Sequence, residues 1–133
     1  MTISPAIIAF GVYLSLGCVF LMLFTAMYMR FTRHDELALM RQGNLAATLA
    51  LGGSMAGFSV PLSRSIMQAG SVADMMLWAG LALIVQLLAY GVARFLLPDL
   101  SRRVADGDMA AATLVAVISV IAGILNASSM TLV

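Results

Sequence analysis

Four stretches of the chain carry no charge at all: residues 1–29, 42–63, 75–93 and 109–133. Each is close to or beyond the roughly 20 apolar residues that a helix needs to cross a bilayer. In lipid a backbone satisfies its own polar groups only as a helix or a closed barrel. Long unbroken apolar runs therefore predict an all-α membrane protein with four transmembrane helices. Hydrophobic residues make up 62% of the sequence, charged residues 10%, and mean hydropathy is +1.05, more apolar surface than a soluble domain of this size could cover. The first run has no Arg or Lys ahead of it and is too long for a signal h-region, so it reads as a retained span.

The few charges set an orientation. Arg30, Arg33 and Arg41 surround the first connection, Arg94, Arg102 and Arg103 the third, and Arg64 alone the second. The positive-inside bias then puts the first and third connections in the cytoplasm and both termini in the periplasm. A net charge of +1 gives no reason to expect a nucleic-acid partner. Cys18 is the single cysteine, so no intrachain disulfide or thiolate metal site can form, and a small packing role is expected for it.

The chain also repeats itself. "RQGNLAATLALGGSMAG" (41–57) is echoed by "ADGDMAAATLVAVISVIAG" (105–123), and an offset of 64 pairs Arg30–Phe31 with Arg94–Phe95, Asp35 with Asp99, Gly43 with Gly107 and Asn44 with Asp108. Two hairpin repeats follow, residues 1–66 and 67–133. Because each holds two spans, they would be parallel repeats about an axis along the membrane normal.

Small or flexible residues at helical spacing predict the packing faces. Gly11, Ser15, Cys18, Met22, Thr25 and Met29 form a stripe in span 1, matched in span 3 by Met75, Ala79, Ala82, Gln86, Ala89 and Ala93. Thr48, Gly52, Met55 and Ser59 in span 2 match Ala112, Ala116, Ser119 and Gly123 in span 4, where the face extends to Asn126, with Leu49, Leu51, Phe58, Leu114, Val117 and Ile121 left for lipid or neighbouring chains. Pro61 predicts a kink or early end to span 2. A short interfacial helix is expected in the first connection, where Leu37 and Met40 recur at helical spacing, and a sharper exit at Pro98 in the third.

Candidate functional residues are few. Gln86, central in span 3, reads first as an interhelical hydrogen bond and alternatively as a pore or substrate contact. Asn44 and Asp108 read first as helix caps and alternatively as a ring at the mouth of an oligomer, with Asn126 a further polar contact in span 4. Arg30 and Arg94 snorkel beside Asp35 and Asp99, or bind lipid headgroups. His34 reads as a solvated loop histidine and the scattered methionines as packing, so no metal or cofactor is expected. Phosphate loops, zinc-protease motifs and nucleophile triads are absent from the sequence, which argues against an enzyme.

The duplicated unit, with Arg–Phe closing one helix, an acidic residue after it, and "QGNLAA" or "DGDMAAA" opening the next, resembles the YjfL-type family of small bacterial inner-membrane proteins. That resemblance implies a bacterial inner-membrane location and two repeats of two helices, and no established reaction. The expectation is a structural or interaction role, in envelope stress or maintenance, with membrane lipid, a homo-oligomer and membrane proteins as partners. The alternative is an oligomeric ion channel or small transporter subunit.

Overall fold

The computed structural model describes residues 3–32 and 35–130. Six helices fill them: α1 (Ile3–Thr32), α2 (Glu36–Arg41), α3 (Leu45–Met67), α4 (Val72–Leu96), α5 (Leu100–Ala105) and α6 (Met109–Ser129). Helices α1, α3, α4 and α6 are long and apolar enough to cross a membrane. Helices α2 and α5 are short and close the same end of the bundle. Helix α5 lies where the sequence predicts only an exit at Pro98.

Both short helices end the same way. Gly43 and Gly107 have φ of 85° and 89°, the left-handed region that a Cβ disfavours. The Gly43 N–H donates to the Met40 carbonyl and the Asn44 N–H to that of Leu39, at 3.0 and 2.9 Å. Gly107 and Asp108 donate to Val104 and Arg103 at 3.0 and 2.9 Å. Two such bonds closing a helix on a left-handed glycine are the Schellman motif. Glycine thus ends the short helix, and the very next residue caps the long one: the Asn44 side chain accepts from Ala47 N–H, and that of Asp108 from Ala110 and Ala111 N–H.

Helices α3 and α6 make the closest pairing. A Cβ on Gly53 would stand 2.4 Å from Ala116 Cβ, one on Gly57 2.4 Å from the Ser119 carbonyl, and one on Gly123 2.0 Å from the Gly57 carbonyl. Pro61 explains the last of these. It has no N–H to give the Gly57 carbonyl four residues back, and that oxygen instead rests against the Gly123 backbone, at a place suited to a Cα–H···O contact. The helix runs on past Pro61 to Met67, and the Ser65 hydroxyl donates to the Pro61 carbonyl at 2.9 Å.

The packing face predicted for span 3 is buried in full, and that for span 4 is buried from Ala112 to Gly123, with Asn126 half-buried. The other two were misplaced. In α1, Gly11, Ser15, Cys18 and Met22 are exposed, and Gly17, Phe24, Tyr28 and Thr32 pack inward. Helix α1 lies at the edge against α3, where Phe24 stacks on Phe58 with centroids 4.9 Å apart and Tyr28 meets Tyr90 edge-on at 5.3 Å. Helix α3 is central and touches every other helix, so it needs a broad face. Ala46, Ala47, Ala50, Leu51, Ser54, Gly57 and Phe58 supply it, while Thr48, Gly52 and Ser59 point outward and Met55 is half-buried. Leu51 and Phe58, assigned above to lipid, are core.

The α3–α6 seam generates a clear expectation. Gly123→Ala should lower unfolding stability in detergent by about 1–3 kcal/mol, the usual cost of overpacking. Gly52→Ala, with nothing within 4 Å of the new methyl, should be neutral or slightly stabilising; equal losses from both changes would contradict the seam.

Candidate functional site

Among the described residues, buried polar side chains gather around Gln86 and around Glu36, and a pair of matched turns meets at one end of the bundle. Gln86 is 2% exposed, on the inner face of α4. Its Nε2 donates to the Ser119 carbonyl at 3.1 Å, and its Oε1 accepts from the Ser119 hydroxyl at 2.5 Å. The Ser119 hydroxyl also lies 3.3 Å from the Ser54 carbonyl. One amide therefore ties α4, α6 and α3 together, and its donor and acceptor both have partners, the geometry of interhelical polar glue.

Towards the α2/α5 end lies a group that sequence reasoning missed. Glu36, the first residue of α2, is fully buried, and its Oε1 accepts from the Thr32 hydroxyl at 2.5 Å. Tyr28 is buried close to Glu36 and Ser54. Tyr90, also near Glu36, shares a 3.0 Å hydrogen bond with Ser101 on α5. In α2, Leu37 is exposed and Met40 half-buried, and Glu36 holds the inner position. The available signal was the offset of 64, which pairs Glu36 with Leu100, a residue in a plainly apolar position.

Asn44 and Asp108 do come together, where the two turns meet at the α2/α5 end in a shallow cleft of about 460 Å³. They do different work there. The Asn44 amide donates across to the Ala105 carbonyl at 2.9 Å, joining the two halves. Asp108 has no donor to return and instead pairs with Arg103 at 2.7 Å within its own half. Arg103, followed by the Ala111 N–H, holds the Asp108 carboxyl below the ordinary aspartate range.

The remaining candidates stand apart. Arg30 and Arg94 are exposed, and the ion pairs foreseen for them are replaced: Asp35 caps α2 through Ala38 N–H, and Asp99 pairs with Arg102 at 2.8 Å. Asn126 is half-buried in α6, towards the opposite end from Asn44. Cys18 is exposed on α1 rather than packed. Arg33 and His34 lie outside the described residues. Among the described residues no three His, Cys, Asp or Glu side chains gather as a metal site would require.

Comparison with known proteins gives a family described as of unknown function. Residues 2–130 match the model of Domain of Unknown Function DUF350. The chain is 34% identical to the UPF0719 inner membrane protein YjfL of Escherichia coli K12 over 131 residues, 98% of this chain and 99% of that protein. It is 27% identical to the UPF0719 transmembrane protein YshE of Bacillus subtilis 168 over 92 residues, 69% of each. No solved structure matches.

The Asp108–Arg103 pair carries a pH dependence with a definite sign. A lowered carboxyl stabilises the fold fully above the unfolded aspartate value of about 3.9, and that stabilisation fades as pH falls below it. Thermal melts taken down through that range should show a steeper loss for the wild type than for Asp108→Asn, which keeps a capping oxygen without the charge.

Proposed function

The chain belongs to the DUF350 family, and from that membership and the geometry of its helices we propose a non-enzymatic, self-assembling structural protein of the bacterial inner membrane. Its role lies in envelope maintenance or the response to envelope stress, through contact with further copies and with other membrane proteins. The arginine distribution supports an orientation with the α2/α5 end in the cytoplasm and both termini in the periplasm. The offset of 64 that recurs in the helix boundaries, from 36–41 to 100–105, supports an origin by duplication of a two-helix hairpin.

One observation carries this reading. In α4 the stripe Met75, Ala79, Ala82, Gln86, Ala89 and Ala93 is covered by neighbouring helices. In α1 the residues at matching positions, Gly11, Ser15, Cys18 and Met22, are bare, Met22 being 71% exposed. Small residues favour helix association in lipid because they let backbones approach closely. A second α1 is the natural cover.

A scaffold of this kind needs no path through its middle, and Gln86 and Ser119 close the centre by bonding one another. A channel or transporter subunit would behave differently in the same assay. Protein held in native lipid should run as a dimer or small oligomer, and mild oxidation should link two chains through Cys18, which sits on the bare stripe. Replacing Ser15 with Phe should reduce that cross-link at least several-fold. Strong flux of monovalent ions in reconstituted vesicles, abolished by Asp108→Ala, would instead establish the channel reading.

A further inference from the structure

The four long helices do not fit one bilayer equally well. Their uncharged stretches are residues 45–63 in α3, 75–93 in α4 and 109–129 in α6. At about 1.5 Å per residue these measure roughly 28 to 31 Å, the thickness of a hydrocarbon core. Helix α1 is uncharged over residues 3–29, a length on the order of 40 Å. Standing upright, it overshoots the core by about 10 Å. Arg30 and Phe31, both exposed, suit the membrane interface at the α2/α5 end, so the excess falls at the opposite end.

That outer half of α1 is also weakly held. Residues 3–12 are all exposed. Among the described residues, none in the stretch 3–23 hydrogen-bonds to another helix. A Cβ on Gly17, the one buried residue of the stretch, would meet only the tip of the Ile66 side chain, at 3.2 Å. Two apolar grooves, of about 310 and 390 Å³, lie between this half and α3, with Leu14 and Ile66 in both. The serines in the first groove, Ser59 and Ser63, bond within α3, to the Ala56 carbonyl and the Met67 sulfur. Rings fix the other half of α1, where Phe24 stacks on Phe58 at 4.9 Å and Tyr28 meets Tyr90 at 5.3 Å.

We propose that α1 responds to bilayer thickness, pivoting on the Phe24 and Tyr28 ring contacts so that its outer half tilts further as the membrane thins. Tilting is an ordinary way for an overlong span to hide its excess. Helices α3, α4 and α6 have no such excess, and Gln86, Ser119 and the glycine seam hold them to one another. The outer half of α1 can therefore move alone. Its movement breaks no hydrogen bond to a neighbour, and it opens or closes space already lined by apolar groups. This response does not depend on self-assembly.

Two distances test the pivot. The full-length protein with Cys18→Ser carries spin labels at Phe10→Cys on α1 and Leu125→Cys on α6, both exposed positions. A reference pair uses Leu23→Cys, beside the pivot, and Val117→Cys, again exposed. Labelled chains, diluted with unlabelled ones, are placed in phosphatidylcholine vesicles whose acyl chains have about 14, 18 or 22 carbons, and distances are read by double electron–electron resonance. From the thinnest bilayer to the thickest, the Phe10–Leu125 distance should shift by about 5 Å or more, while the Leu23–Val117 distance stays within about 2 Å. Ile7→Glu together with Ile8→Glu shortens the uncharged run to residues 9–29, roughly 31 Å, leaves the arginine bias untouched, and should remove most of the shift. A Phe10–Leu125 distance that ignores thickness overturns the proposal. So does an equal shift in the reference pair, or a shift that survives the two glutamate substitutions.

Discussion

The contact between the Gly57 carbonyl and the Gly123 backbone sets the spacing on which the rest of the bundle depends. It exists because two residue choices coincide: Pro61 withdraws the donor that would hold the carbonyl inside α3, and Gly123 offers a surface with no side chain. With the two helices this close, Ser119 reaches the Ser54 carbonyl, and α4 can lay an alanine-lined face beside them. In lipid there is no hydrophobic drive to bring helices together, so close fit and hydrogen bonding must supply the association. A proline that would disturb an isolated helix is here part of an interface.

The same economy governs the polar side chains. Gln86 is satisfied by one serine on the neighbouring helix, and that serine extends the contact to a third helix. Glu36 is buried and accepts from the Thr32 hydroxyl at the level where the short connections dock. At an offset of 64 the polar side chains do not recur: Leu100 stands at the position matching Glu36, and Val92 at that matching Tyr28. Two halves built to one plan therefore differ where side chains could act.

Much of this was legible in the residues. Charge-free runs fixed the four long helices, and the offset of 64 anticipated the matched turns and the caps at Asn44 and Asp108. The inward faces of α4 and α6 followed from small residues at helical spacing. The faces of α1 and α3 did not, because sequence periodicity says which residues share a side and not how many neighbours that side will have. Helix α1 has one main neighbour and meets it with aromatic rings, while α3 sits among all the others and buries bulky residues as well as small ones. Glu36 escaped notice for a related reason. A charged residue in a short connection reads as solvated, and only the docking of α2 against the bundle turns it inward.

The dual duty of Asn44 and Asp108 has a mechanical side. Each closes one helix and caps the next, so no spare residue separates the short helices from the long ones and neither joint can swing freely. Tilting α3 must carry α2 with it, and tilting α6 must carry α5. The Asn44 amide couples the two levers by gripping Ala105, whereas Asp108 holds only its own arm. Force applied to either connection is thereby shared across one strut, the bond from Asn44 to Ala105 that bridges the two halves.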